Sequence, residues 1–245
     1  MKIAAISDIH GNLAALDAVL KDIARQDVDF VVNLGDLFSG ALQPAETADR
    51  LLPLPFITIR GNHERQLLEN DPQQMSLSDR HAYSALRTEH WEWLKSLPAE
   101  LRIEDDILLV HGIPGNDLMY FLEEVTQDGV VLASAELVQQ RAAGVRESLI
   151  LCGHTHLPRK FELADGRVII NPGSVGLPAY DDDQPFYHKM ESGSPHARYA
   201  VIERKQTGWE VDFRQVIYDW NSAAKQAEAN QRPDWVVPLR EGKIA

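Results

Sequence analysis

The sequence predicts an α/β fold in which a β-sheet carries helices on its faces. Three observations predict it. Short apolar runs recur along the chain, helical patterns stand between them, and the runs are apolar throughout rather than alternating. Strands that alternate with helices build such a sheet. Continuous apolarity is what burial on both faces requires. The length, 245 residues, suits one large domain spanning 1–245.

From the N-terminus, Ile3 to Ile6 reads as a buried strand. Leu13, Leu16, Val19, Leu20 and Ile23 then recur at helical spacing, with Asn12 before them as a good N-cap. Further apolar runs are Phe30–Val32, Phe56–Ile59, Ile107–Val110 and Leu149–Cys152. Helical patterns lie near 44–52, 64–70, 78–97 and 133–142. After Pro158 the texture changes to strands at 160–163, 167–170, 199–203 and 210–216, with turns such as Asp165-Gly166. This reads as added β-structure in the same domain. Residues 176–196 are rich in Asp, Pro, Ser and Gly and read as a long loop. A C-terminal extension after about 218 looks helical at first and then irregular.

Composition narrows the function. Hydrophobic residues make up 44% and charged residues 25%, an ordinary globular balance. The formal net charge of −13 opposes a broad surface for long nucleic acids, yet admits a small phosphorylated substrate where cations line the site. The single cysteine, Cys152, excludes a disulfide framework and a four-cysteine zinc site within the chain. No apolar run reaches membrane-spanning length, so a soluble cytoplasmic protein without a membrane partner is the expectation.

The chemistry lies at the end of each apolar run. The first leads into Asp8-Ile9-His10-Gly11 and the second into Gly35-Asp36. The third leads into Arg60-Gly61-Asn62-His63-Glu64, the fourth into His111-Gly112, and the fifth into Gly153-His154-Thr155-His156. Ligands in open α/β sheets bind beyond the carboxyl ends of the strands. That places Asp8, His10, Asp36, Asn62, His111, His154 and His156 along one edge. Oxygen and imidazole donors without thiolate suit Mn, Fe, Zn, Ni or Co. Seven donors exceed one tetrahedral zinc. They match two ions roughly 3.5–4 Å apart, which hold a hydroxide between them and clamp a phosphoryl group for in-line attack.

These blocks, in this order, resemble the calcineurin-like metallophosphoesterases: D-x-H, G-D, G-N-H-[DE], H and G-H-x-H. Asn171-Pro172-Gly173-Ser174-Val175-Gly176 and Ala197-Arg198-Tyr199-Ala200-Val201 look like the branch of small bacterial and archaeal cytoplasmic phosphodiesterases. The resemblance implies a four-layer α/β/β/α sandwich with two facing mixed sheets. It implies two divalent transition-metal ions, manganese first among them. Asp8, His10 and His156 would hold one, Asn62, His111 and His154 the other, and Asp36 would bridge. His63 would be the catalytic histidine that steadies or protonates phosphate-ester oxygens.

The Gly-Asp block departs from one pattern. In the protein-phosphatase and dinucleotide-tetraphosphatase branches it runs on to Asp-Arg-Gly, whereas here it reads Leu37-Phe38-Ser39-Gly40. The acid that orients the catalytic histidine there is missing at that place, and so is the arginine that grips a dianion. This favours a small phosphodiester. Arg60 and Arg65 stand as compensating cations near substrate, with Asn12 as a further substrate contact. A phosphomonoesterase and a non-catalytic scaffold of the same fold are the alternatives. Cys152 reads as a small buried hydrophobe, His81 and His90 as packing or surface residues, and His188 and His196 as solvated loop residues.

Overall fold

The computed structural model describes all residues, 1–245. Two five-stranded mixed sheets carry the chain's strands at their centre. The first is built from β1 (Lys2–Ile6), β2 (Phe30–Asn33), β3 (Ile57–Thr58), β13 (Ala197–Lys205) and β14 (Gly208–Val216), in the order β14-β13-β1-β2-β3. The second is built from β4 (Leu101–Ile103), β5 (Ile107–Leu109), β8 (Leu149–Leu151), β9 (Arg159–Glu162) and β10 (Val168–Asn171), in the order β4-β5-β8-β10-β9. In each sheet three neighbouring strands run parallel: β1, β2 and β3 in one, β5, β8 and β10 in the other. Antiparallel strands complete both.

Strand periodicity sorts the core. Ile3 and Ala5 of β1 join Val32, Leu109, Leu151, Ile170 and Ala200 in an apolar cluster shared by the two sheets. Ala4 and Ile6 point the other way and pack with Ala15, Leu16, Val19 and Ile23 of α1 (Leu13–Ile23). On the second sheet, Leu108, Ile150 and Ile169 turn outward to Val138 of α6 (Ala135–Arg141). Neighbouring residues of one strand thus serve different cores, which is why the strands read as apolar throughout.

Several expectations about elements change. The stretch 78–97 is two helices, α4 (Leu77–Ala85) and α5 (Thr88–Ser96). Leu86 and Arg87 are extended, and the Arg87 N–H donates to His90 Nδ1 at 3.2 Å, so α5 starts anew. No Gly or Pro marks that break. The segment 176–196 is not a long loop. It carries a hairpin, β11 (Ala179–Asp182) against β12 (His188–Glu191), in which His188 and Met190 are buried while Lys189 and Glu191 are exposed. A second hairpin, β6 (Glu123–Thr126) with β7 (Gly129–Leu132), adds to the expected strands. The C-terminal extension is mostly helical: α7 (Trp220–Ala229), a 3-10 turn at Pro233–Trp235, and α8 (Val236–Glu241). It buries Ala223, Ala224, Ala227, Trp235 and Leu239 in the helix-side core. The remaining helices, α2 (Pro44–Leu51) and α3 (Asn62–Glu69), lie where the periodicity places them. No helix is long and apolar enough to cross a membrane.

Candidate metal centre

The parallel strands β1, β2, β3, β5 and β8 end at one place, and the side chains just beyond them converge there. Backbone bonds lock their loops together. Asp8 N donates to the Gly35 carbonyl at 3.0 Å, Ile9 N to Asp36 at 2.8 Å, and Gly153 N to His111 at 2.8 Å. Glu64 is fully buried at the start of α3 and accepts from three backbone N–H groups: Asp36 and Leu37 at 2.8 Å, and Gly61 at 2.9 Å. It ties the Gly-Asp turn to the helix that carries Asn62 and His63. Gly61 is needed for this approach, because a Cβ there would overlap the Asp36 backbone and carboxylate.

The local backbone is strained where the donors sit. Asp8, His10, Asp36, His154 and His156 have φ of 56°, 51°, 55°, 69° and 60°. A non-glycine residue in this left-handed region costs about 1–2 kcal/mol, and such residues gather at functional sites. The turns aim each side chain inward at that cost.

The donors form two groups, Asp8 with His10 and His156, and Asp36 with His111 and His154. Each histidine is fixed by a backbone carbonyl. His10 Nδ1 meets the Ser39 carbonyl at 2.7 Å, His111 Nδ1 that of Leu34 at 2.8 Å, and His156 Nδ1 that of Leu177 at 2.6 Å. His154 uses Nε2, toward the Leu118 carbonyl at 3.1 Å. A carbonyl only accepts, so each tethered nitrogen carries the proton and the opposite nitrogen faces the cluster.

The facing atoms call for cations. His10 Nε2 and His156 Nε2 point at each other across 3.1 Å. Both Asp8 carboxylate oxygens are buried without a hydrogen-bond partner. One end of the Asn62 amide lies 3.0 Å from His111 Nε2, 3.1 Å from His154 Nδ1 and 3.3 Å from Asp36 Oδ2. An oxygen at that end faces two acceptors, His154 Nδ1 and Asp36 Oδ2, and finds a donor only in a protonated His111, so a cation suits the space between them. The residues present therefore fit two divalent ions, one in each group.

The family model of the calcineurin-like phosphoesterase superfamily domain matches residues 1–192. The chain belongs to that superfamily. An uncharacterized protein of Methanocaldococcus jannaschii is 26% identical over 268 residues, covering 96% of this chain and 95% of its own. A crystal structure of a metallophosphoesterase from Sphaerobacter thermophilus is 27% identical, covers 98% of each chain and superposes with a TM-score of 0.75. A hypothetical protein from Pyrococcus horikoshii OT3 shares the fold with a TM-score of 0.77 at 18% identity, over 100% of this chain and 99% of that one. The calcineurin-like family implies divalent metal ions, in keeping with the two donor groups.

The protonation states of this calcineurin-like centre are divided. Burial and the nearby His156 push His10 down to about 4, and burial and His111 push His154 down to about 3. Burial opposes a charge on His111, but the Asp36 carboxylate outweighs it and raises the imidazole to about 10. Asp36 is held well below the usual carboxylate range, because His111 and His63 overcome its burial. A proton on His111 thus does part of what a dication would do there, and an ion held by His111 would have to displace it.

His63 stands beside the two groups, with its ring centroid 5.4 Å from that of His10. Its Nδ1 meets Asp79 Oδ1 at 2.7 Å, which leaves Nε2 for the cavity. Burial lowers its affinity for a proton, but Asp36, the Asp79 hydrogen bond and the Asp79 charge raise it to about 9. The orienting acid absent from the Gly-Asp block is therefore present, supplied by α4. Its only sequence signal is Ser76-Leu77-Ser78-Asp79, which reads as a helix start, and Ser76 does cap that helix.

The three expected substrate contacts lie elsewhere. Arg65 is held by Asp117 in a bidentate pair at 2.6 and 2.8 Å and lines a side pocket with His111 rather than the cavity over the donors. Arg60 is not among the residues that line the cavity over the donors. Asn12 is buried and caps α1 through Ala15 N, and it donates to the Gly176 carbonyl and Tyr218 Oη. The cation that does line this cavity of about 470 Å³ is Arg232, from the C-terminal extension, together with Trp235. Arg232 is itself paired with Asp234 at 2.6 Å.

His188 is also not a solvated loop residue. It is buried and meets Tyr120 Oη at 2.7 Å; Tyr180 Oη donates to the His154 carbonyl at 3.0 Å and lies 2.9 Å from Tyr120 Oη. Cys152 is buried in the core, as expected. His81 meets the Leu42 carbonyl at 3.0 Å, and His90 is buried against Asp49.

Proposed function

We propose that this protein is a two-metal phosphodiesterase that hydrolyses a small phosphodiester. Asp8, His10 and His156 hold one ion, Asn62, His111 and His154 the other, and Asp36 bridges. Manganese is the first choice for this mixed nitrogen and oxygen set. When bound, the ions supply Lewis-acid charge to the phosphoryl oxygens and an acidified water as nucleophile.

His63 supplies the proton. Held as an imidazolium by Asp79 and Asp36, it donates from Nε2 to the alcohol oxygen as the ester P–O bond breaks. The proton lost by the attacking water restores it, so the cycle balances. The His63–Asp79 pair beside two donor groups is the observation that carries the hydrolytic reading.

Preference for a diester rests on charge. A phosphomonoester dianion is favoured where a free guanidinium grips it. Here Arg65 is engaged by Asp117 and Arg232 by Asp234. With Mn²⁺, the protein should cleave an aryl phosphodiester faster than the matched monoester, and Asp36→Asn or His63→Gln should lower that rate at least about 100-fold. A large monoester preference would replace this reading with a phosphomonoesterase. Full diester activity in both variants would end it.

A further inference from the structure

The cavity over the donors does not end there. A second cavity of about 640 Å³ adjoins it, and the two share Gln66, Leu118, His154 and Asp182. The ridge between them is His154 and Leu118, joined by the bond from His154 Nε2 to the Leu118 carbonyl. The centre lies in the first lobe, and the second opens off its edge at His154.

The lobes differ in chemistry. The first is polar, with Asp181, Asp182 and the Arg232–Asp234 pair around Trp235. The second presents an apolar wall of Leu118, Met119, Tyr120 and Val125, with Glu123 and Glu124 at its margin, and Leu118 and Met119 are 52% and 43% exposed. Arg141 lines this second lobe. It donates through Nη1 to the Phe121 and Glu123 carbonyls and its Nε is buried, which leaves Nη2 to face an acceptor, and it pairs with no carboxylate.

A phosphate held over the donors at the His154 edge can keep one ester arm in the first lobe and send a second over the Leu118 ridge into the other, which fits a phosphorus that carries two ester arms. A monoester would leave one lobe unfilled. His63 lines the first lobe and not the second, so the leaving oxygen belongs to the first. We infer that the substrate is a diester of two unlike alcohols, with a polar alcohol leaving from the His63 lobe and an apolar alcohol retained in the Leu118–Met119 lobe, where Arg141 takes a hydrogen-bond acceptor on it. This rests on the hydrolase reading above and adds the substrate class. Water oxygen bonds to phosphorus, the bond to the polar alcohol breaks, that oxygen takes the His63 proton, and the apolar alcohol departs as its phosphomonoester.

The test uses manganese-loaded protein and aryl diesters that share a 4-nitrophenyl leaving group. The retained arm is methyl, phenyl or 4-acetamidophenyl. The phenyl-to-methyl ratio of kcat/KM should fall about tenfold in Met119→Asp, the order expected from half-burying a phenyl ring. Met119 is exposed, so this variant folds. Comparing the ratio with that of the parent removes intrinsic reactivity. The acetamido arm should gain a few-fold over phenyl in the parent, and that gain should vanish in Arg141→Met. Ratios unchanged in both variants would overturn the two-lobe assignment while leaving the hydrolase reading intact. No hydrolysis of any diester, with metal bound, would overturn both.

Discussion

Glu64 offers a test of the scaffold that is independent of substrate. Glu64→Ala removes the acceptor of three buried backbone N–H groups, on Asp36, Leu37 and Gly61. Each buried donor left unpaired costs about 1–3 kcal/mol. Water entering the space left by the side chain restores part of this, so a net loss of about 4 kcal/mol is expected. At this chain length about 2–4 °C of melting temperature goes with each kcal/mol, which gives a fall of about 8–16 °C. Glu64→Gln keeps one oxygen, and Oε2 alone serves Asp36 and Gly61, so about half that loss is expected. Thermal unfolding of the metal-free proteins at pH 8, where the carboxylate with its pKa pushed up to about 7 by burial and Asp36 is ionised, measures both. A Glu64→Ala protein melting within about 2 °C of the parent would refute the role given to this side chain.

The centre itself gives further expected outcomes. Mn²⁺ at about 100 times its Kd should stabilise the protein by about 2.7 kcal/mol for each ion, about 5.4 kcal/mol or roughly 11–22 °C for two, and chelation should reverse this. Asp36→Asn should abolish most of that gain. In metal-free protein, the His63 imidazole should titrate by NMR near the raised value of about 9, and Asp79→Asn should bring it down. Since folding raises this pKa, the pair's stabilisation is complete below about 6.5 and disappears as pH rises through about 9. A titration near 6.5 in both proteins would contradict the pairing. Arg65→Met should lower the melting temperature by only about 2–4 °C, because the Asp117 pair is partly exposed, and should leave the ratio of diester to monoester hydrolysis unchanged.

The donors are legible because they are punctuated: each apolar run leads into a short block that sets a donor beside a glycine. That pattern is local in sequence, so the α/β class and the edge of the sheet can be read with it. The supporting residues obey no such rule. Asp79 reaches His63 from a separate helix, and its neighbours spell only a helix cap. Arg232 and Trp235 come to the cavity from a tail whose sequence shows no chemistry. Arg60 and Arg65 are near the motif in sequence, but helical geometry turns Arg65 toward Asp117. The β11–β12 hairpin is hidden by the Asp-rich turn at its tip, although His188 and Met190 alternate with Lys189 and Glu191 in the way a half-buried strand requires.

The donor groups have a mechanical meaning as well. Asp8 and His10 hang from the first sheet and His156 from the second; Asp36 belongs with the first and His111 and His154 with the second. An ion in either group would act as a rivet across the seam, joining side chains as far apart as His10 and His156, which are 146 positions apart in sequence. Two rivets at one end of a two-sheet body turn that end into its stiff edge. Stripping them would leave a hinge, and amide exchange in the donor loops should then accelerate long before the strands themselves open.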